Sequence, residues 1–247
     1  MVSEGYVIAH ISDPHFGEPG FQKEKIQTAI NEINDLSPNI VVVTGDLTSD
    51  GLTSDFELAY SALSQLKPKT LTIMGNHDSR NVGYSIFEKY FGERMVTYED
   101  DKVFLLGVDS TQPDIDEGHI GRTFQSYIHQ TLVNAPKDRI KIFALHHHLV
   151  PVPMAGRERD VLVDAGDILK MLVEDGVKVI LCGHRHVSWT WGIEGMLIVH
   201  SGTMGSQRTR GMPTQSYTVL RMVDDKLTVI LRLIGRRDVK LRTFVLK

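Results

Sequence analysis

Residues 70–78 read Thr-Leu-Thr-Ile-Met-Gly-Asn-His-Asp. A short apolar run, Thr70–Met74, is stopped by Gly75 and followed at once by the polar side chains Asn76, His77 and Asp78. The first half has the length and composition of a buried strand. Four other stretches repeat the pattern. Tyr6–Ile11 runs into Ser12-Asp13-Pro14-His15, and Ile40–Thr44 runs into Gly45-Asp46. Ile140–Leu145 runs into His146-His147-His148, and Val177–Cys182 into Gly183-His184-Arg185-His186. Val103–Val108 is a further apolar run of the same kind.

Longer amphipathic segments separate these runs and read as helices: Phe21–Leu36, Asp55–Leu66, Gly83–Phe91, Gly121–Asn134 and Gly166–Asp175. Ser54 or Asp55 is a candidate cap for the second. Strands alternating with helices predict a largely parallel sheet covered on both faces. The last quarter changes character. Ser188–Ile193, Met196–His200, Gln215–Met222, Lys226–Ile234 and Val239–Leu246 are strand-like with short connections, and Asp224-Asp225 occupies a hairpin-turn position. These predict a second, mostly antiparallel sheet. No Pro/Gly/Ser-rich linker interrupts the chain, so residues 1–247 are expected to form one α/β domain of two packed sheets with helices outside.

Ligand sites in open α/β sheets form at the carboxyl ends of strands, so clusters far apart in sequence can converge there. The side chains available are carboxylate, imidazole and amide, with no thiolate. That mixture suits manganese, iron, zinc or a similar ion in an open catalytic site better than a closed structural zinc. Seven candidate ligands exceed one tetrahedral ion and suffice for two if one carboxylate bridges. Two such ions, roughly 3.5–4 Å apart, can clamp both oxygens of an in-line phosphoryl displacement.

Asp13-x-His15, Gly45-Asp46, Gly75-Asn76-His77-Asp78, a later His and Gly183-His184-x-His186 together resemble the signature of calcineurin-like metallophosphoesterases. Any one of them alone would carry no weight; the ordered set does. The compact size and the His-His run resemble the branch holding cyclic-nucleotide and glycerophosphodiester phosphodiesterases. The resemblance implies a four-layer αββα sandwich and a centre of two divalent or trivalent metal ions. Asp13, His15 and His186 would hold the first ion, Asn76, His146 and His184 the second, and Asp46 would bridge. A water or hydroxide between the metals would attack a small phosphate ester, most simply a diester such as a cyclic nucleotide. His77 would face the substrate as hydrogen-bond or proton donor, and Asp78 would orient it. Relatives often read His-His-Pro-Pro where this chain has His146-His147-His148-Leu149, so His146 is preferred as the ligand and His147 is the alternative. A phosphomonoesterase or nuclease would use the same site; an inactive scaffold of the same fold would not need these residue types.

The formal net charge of −4, from 27 basic and 31 acidic residues, points to no nucleic-acid or membrane partner. It leaves the oligomeric state open, a homodimer being one option. The single cysteine, Cys182, allows no internal disulfide, and neither a leader pattern nor a long apolar run is present; a cytoplasmic protein is expected. Other residues take plainer readings. His10 is expected in the core or supporting the site, and Cys182 in the core. His119, His129 and His200 have no motif, although His200 lies near Ser201-Gly202-Thr203 and could border the site. Trp189 and Trp191 share a strand face. Arg157, Arg159, Arg208 and Arg210, and the acidic loop with Asp114, Asp116 and Glu117, read as solvated surface. The segments Asp109–Gly121, Val150–Asp164 and Thr203–Pro213 are long enough to form an open cleft.

Overall fold

A computed structural model describes residues 5–157 and 159–246, so Met1–Glu4, read above for a leader, lie outside it. The elements are β1 (Tyr6–Ile11), α1 (Lys23–Leu36), β2 (Ile40–Thr44), α2 (Thr53–Leu63), β3 (Thr70–Ile73), a 3₁₀ segment (His77–Val82) and α3 (Gly83–Phe91). They continue with β4 (Met95–Glu99), β5 (Val103–Val108), α4 (Arg122–Asn134), β6 (Ile140–Ala144), α5 (Ala165–Glu174) and β7 (Val179–Cys182). The chain closes with β8 (Trp189–Ile193), β9 (Met196–His200), β10 (Ser216–Val223), β11 (Lys226–Leu233) and β12 (Asp238–Val245).

Two six-stranded mixed sheets stack face to face, ordered β12-β11-β10-β1-β2-β3 and β4-β5-β6-β7-β9-β8. The period of two along each strand builds the layers. Val7, Ala9 and Ile11 of β1, with Val41 and Val43 of β2, face α1 and α2. Their neighbours Ile8, Ile40 and Val42 face the other sheet, meeting Leu105, Ile142, Val179 and Leu181. On its far side the second sheet turns Leu106, Phe143, Ile180 and Cys182 toward α4 and α5. The result is the four-layer αββα sandwich. Each fully buried Val, Ile or Leu in these layers contributes about 1.5–3 kcal/mol.

The predicted division of strands between sheets needs correction. The apolar runs of the first two-thirds do not share one sheet: β1–β3 run parallel in one, β5–β7 parallel in the other. Nor do the last strands form a sheet of their own. β10–β12 extend the first sheet antiparallel from β1, and β9 and β8 extend the second from β7. Periodicity reports which residues are buried, not which strand pairs with which. β4 escaped the reading because it is a half-exposed edge strand without an apolar run. The cap of α2 is also different: Leu52 occupies the N-cap position and no side chain caps the helix. The turn expected at Asp224-Asp225 does join Val223 to Lys226 in register. Among the described residues no helix is long and apolar enough to cross a membrane.

The carboxyl ends of β2 and β3 come unusually close. A Cβ at Gly75 would lie 2.2 Å from Asp46 N, and one at Gly45 would lie 2.5 Å from Gly75 N. We expect Gly75→Ala to lower stability by about 1–3 kcal/mol through overpacking and to displace Asp46. Gly166→Ala, in the first turn of α5 with open space around it, should change stability by under about 1 kcal/mol, in the stabilising direction. Denaturant unfolding of the two variants against the parent measures this; equal losses would mean that the close approach at Gly75 is relaxed by the chain.

Candidate metal centre

The ends of β1, β2 and β3 from one sheet and of β6 and β7 from the other meet at one edge of the sandwich. Backbone bonds lock the loops together: Asp13 N to Gly45 O at 3.0 Å, His15 N to Asp46 O at 3.0 Å, and Gly183 N to His146 O at 3.0 Å. Other bonds cross between the sheets. His146 Nδ1 donates to Thr44 O at 2.6 Å, and His184 N donates to Asp13 Oδ2 at 3.0 Å. The backbone is left-handed at Asp13 (φ 53°), His15 (φ 51°), Asp46 (φ 52°), His184 (φ 70°) and His186 (φ 58°). Residues with a Cβ rarely adopt that conformation.

This geometry gathers Asp13, His15, Asp46, Asn76, His146, His184 and His186 into one buried patch. His15 Nε2 lies 3.0 Å from His186 Nε2, and Asp13 Oδ1 is 3.3 Å from His186 Nε2. On the other side, Asn76 Oδ1 lies 3.0 Å from His146 Nε2 and 3.1 Å from His184 Nδ1. Asp46 stands between the groups: Oδ2 is 3.6 Å from His15 Nε2 and Oδ1 is 3.3 Å from His146 Nε2. In each of the trios Asp13–His15–His186 and Asp46–His146–His184, one ligand atom per residue lies within 4.8 Å of the others. The same holds for His15, Asp46 and His77.

The donor set fits cations better than it fits itself. Asp13 Oδ1, which faces the patch, is buried with no hydrogen-bond partner, and His15 Nε2 and His186 Nε2 face each other at 3.0 Å. Where facing imidazole nitrogens both present lone pairs, a cation between them relieves the conflict. Two rings are oriented for it: His146 Nδ1 on Thr44 O and His186 Nδ1 on Arg208 O at 2.9 Å direct each Nε2 lone pair inward. In the protein without metal, burial holds His15 and His184 well below the usual imidazole range. Burial also disfavours charge on His146, but the Asp46 carboxylate overrides it and lifts His146 to about 9. Burial likewise opposes ionisation of Asp46, yet His146 and His77 hold its carboxyl well below the usual range.

His147 is not part of this patch. Its Nδ1 pairs with Ser110 Oγ at 2.8 Å and its Nε2 with Asp116 O at 3.0 Å. His77 is half-buried beside it all, its Nδ1 2.5 Å from Ser49 O and 3.0 Å from Arg80 Nη1. The Ser49 carbonyl can only accept, so this shorter contact sets the proton on Nδ1 and leaves Arg80 Nη1 facing an N–H rather than a lone pair. Asp78, expected to orient His77, does something else. Its carboxylate accepts from Leu47 N, Thr48 N, Thr48 Oγ1 and Gly75 N, which fixes the two loops that carry Asp46 and Asn76. Burial, then repulsion by Asp46, raises its pKa to about 6.

A cavity of about 320 Å³ opens over the patch, lined by Asp46, Asn76, His77, His184 and His186 and by further charged groups. Several were read from sequence as solvated surface or passed over. Arg208 and Arg210 line it, as do Arg80, Arg185 and Asp160. Asp116 accepts from Asn76 Nδ2 at 3.0 Å and Arg80 Nη2 at 2.6 Å, which turns Oδ1 of Asn76 toward His146. Arg185 sits inside the Gly183–His186 motif and Arg80 three residues after His77, the one signal that was available. Each of the three long loops contributes: Asp116 from the first, Asp160 from the second, Arg208 and Arg210 from the third. His200 is buried without reaching the cavity, and His10 braces β1 through Thr44 and Thr218. His119 and His129 are exposed, beside Asp164 and Asp175.

The family model described as calcineurin-like phosphoesterase matches residues 6–188. A probable cyclic nucleotide phosphodiesterase of Xenorhabdus bovienii is 26% identical over 190 residues, covering 75% of this chain and 76% of that protein. A glycerophosphodiester phosphodiesterase of Enterobacter lignolyticus is 27% identical over 203 residues, covering 73% and 70%. In fold, a dimetal phosphatase from Danio rerio superposes with a TM-score of 0.79 at 10% identity, covering 98% of this chain and 99% of that one.

The different surroundings of the adjacent histidines are directly testable. His146→Ala should release roughly one metal ion per chain and abolish turnover, a loss of several orders of magnitude. His147→Ala should keep its metal and lose turnover by about tenfold to a hundredfold, through the loop held by Asp116. Elemental analysis of both purified variants distinguishes them, and a metal loss confined to His147→Ala would reverse the assignment.

Proposed function

The chain belongs to the calcineurin-like phosphoesterase family and is a hydrolase of phosphate esters, and on that premise we propose that it is a phosphodiesterase with a dinuclear centre acting on a small diester such as a cyclic nucleotide. The position of Asp46 carries the reading. One oxygen faces the His15 side and the other the His146 side, as a bridging carboxylate requires. Asp13, His15 and His186 would hold one ion; Asn76, His146 and His184 the other. Oxygen and imidazole donors without thiolate suit manganese, iron or zinc. Such ions supply Lewis acidity and bring the pKa of a water toward neutrality. We read residues 1–247 as one domain, because the layer between the sheets joins strands from both parts of the chain.

The chain's own groups would do the remaining work. Asp116 holds the Asn76 amide so that its oxygen, not its nitrogen, faces the centre. The Asp78 carboxylate keeps the Asp46 and Asn76 loops in register. With Nδ1 donating to Ser49 O, His77 has Nε2 left for the substrate, and in the imidazolium form its Nε2–H would meet the departing oxygen. The open cavity bounded by three loops leaves room for the second arm of a diester, and the relatives above are named as phosphodiesterases.

The decisive experiment is Asp46→Asn under manganese, with a bis-aryl phosphate diester, an aryl monoester and a cyclic nucleotide as substrates. The parent should turn over diesters faster than the monoester, and the variant should lose both ions and all activity. Two ions retained in Asp46→Asn would refute the bridge; a strong monoester preference would make the protein a phosphomonoesterase instead. The role of His77 is read separately. Replacing it with alanine should lower turnover of an alkyl diester by about 10²–10⁴-fold and that of a nitrophenyl diester far less, because nitrophenolate leaves unprotonated. Equal losses on both would assign His77 to phosphate binding alone.

A further inference from the structure

The cavity wall carries more positive charge than hydrolysis of a simple diester requires. Two divalent ions set against Asp13 and Asp46 already leave the proposed centre positive, enough for the single charge of a diester. Yet Arg80, Arg185, Arg208 and Arg210 line the same cavity. Arg80 is matched by Asp116 and Asp50, and Arg208 by Glu18 at 2.7 Å. Arg185 and Arg210 are not matched in this way; among the described residues no carboxylate lies within ion-pair distance of either. Asp160 also lines the cavity, but burial and the neighbouring Asp116 and Glu117 raise its pKa, the opposite of what a tight pairing with arginine would do.

The two guanidinium groups instead share one neutral acceptor. Arg185 Nη2 donates to Ala155 O at 3.0 Å and Arg210 Nη1 donates to the same oxygen at 2.9 Å. Arg185 is only 4% exposed; it also holds the carbonyls of Arg157 and Arg159, and its Nε has no partner. Burial and the charges of Arg185 and Arg208 both weaken the proton affinity of Arg210. Arg185 is buried and Arg210 is exposed beside it, so two guanidinium groups flank one acceptor at the cavity wall, where an anion can be shared between them. Three separate segments are needed to make the arrangement: the turn after β7, the Val150–Asp164 loop and the Thr203–Pro213 loop.

We propose that Arg185 and Arg210, with Arg208 beside them, form a subsite for a second anionic group of phosphate class carried on an arm of the substrate, so that the preferred substrates are phosphodiesters bearing a further phosphate. Guanidinium forks suit such a group because they donate in pairs to its oxygens. The assignment rests on the phosphodiesterase reading above and narrows it.

The test compares thymidine 5′-(4-nitrophenyl phosphate) with its 3′-phosphorylated derivative, which differ only in a phosphate remote from the reacting bond. The metal-loaded parent should favour the phosphorylated diester in kcat/KM by about tenfold or more, and Arg210→Gln should bring the ratio near one. Calorimetric binding of thymidine 5′-phosphate and thymidine 3′,5′-bisphosphate to the same two proteins supplies a readout independent of turnover. The bisphosphate should bind more tightly to the parent by a similar factor, and Arg210→Gln should remove the difference. Equal affinities in the parent, or a preference that survives in Arg210→Gln, would overturn the subsite. Tighter bisphosphate binding through Arg210 with no hydrolysis of either diester would uphold the subsite and refute the phosphodiesterase reading.

Discussion

Everything at the functional edge is arranged around one buried carboxylate, that of Asp46. Its two oxygens point to different histidine groups, His15 on one side and His146 on the other. Such a group cannot be left to find its own position. Gly75 packs against its backbone, His77 N donates to Oδ1 at 2.9 Å, and Asp78 ties the two residues that follow it. An anion in a dry site is stable only with partners of opposite sign or with donors. Without metal the surrounding imidazoles fill that role, which is why His146 holds a proton so firmly.

The backbone around this carboxylate is strained. Asp13, His15, Asp46, His184 and His186 all occupy left-handed conformations, each costing on the order of 1–3 kcal/mol. The benefit is geometric. In an extended strand, residues two apart such as Asp13 and His15 share a face but stand roughly 6.6–6.8 Å apart along it. Left-handed residues turn the chain at the strand ends, and the ligand atoms of Asp13, His15 and His186 come within 4.8 Å of one another. The three apolar layers beneath, from Ile8 and Val42 to Phe143 and Ile180, offset that strain.

Away from the centre, the cavity walls follow a different logic. Carbonyls and carboxylates of long loops hold the arginines, and the arginines in turn hold the loops: Arg185 alone binds the carbonyls of Ala155, Arg157 and Arg159. The rigid strand ends fix where chemistry can occur, while the loops fix which ester arms fit. A family that keeps the first and varies the second can change substrates without rebuilding its core.

The sequence by itself determined most of the elements, β4 excepted, and the candidate ligands. Apolar runs closed by Gly-Asp, Gly-Asn-His-Asp or Gly-His-Arg-His are local patterns, and β1–β3 and β5–β7 fall within a residue or two of them. The four-layer architecture was legible only through the ordered motifs, since burial periodicity is silent on which strands pair; the splitting of β1–β3 from β5–β7 is a non-local outcome of packing. Tertiary structure alone also separated His146 from His147, since the two adjacent imidazoles meet different partners, Asn76 for the first and the Asp116 carbonyl for the second. It placed the Asp78 carboxylate on the backbone amides of Leu47 and Thr48, 31 and 30 residues away, as well as on the nearby amide of Gly75. And it turned Asp116, Arg208 and Arg210 from apparent surface charges into cavity walls, because a loop residue's surroundings are set by the segments that fold over it rather than by its neighbours in the chain.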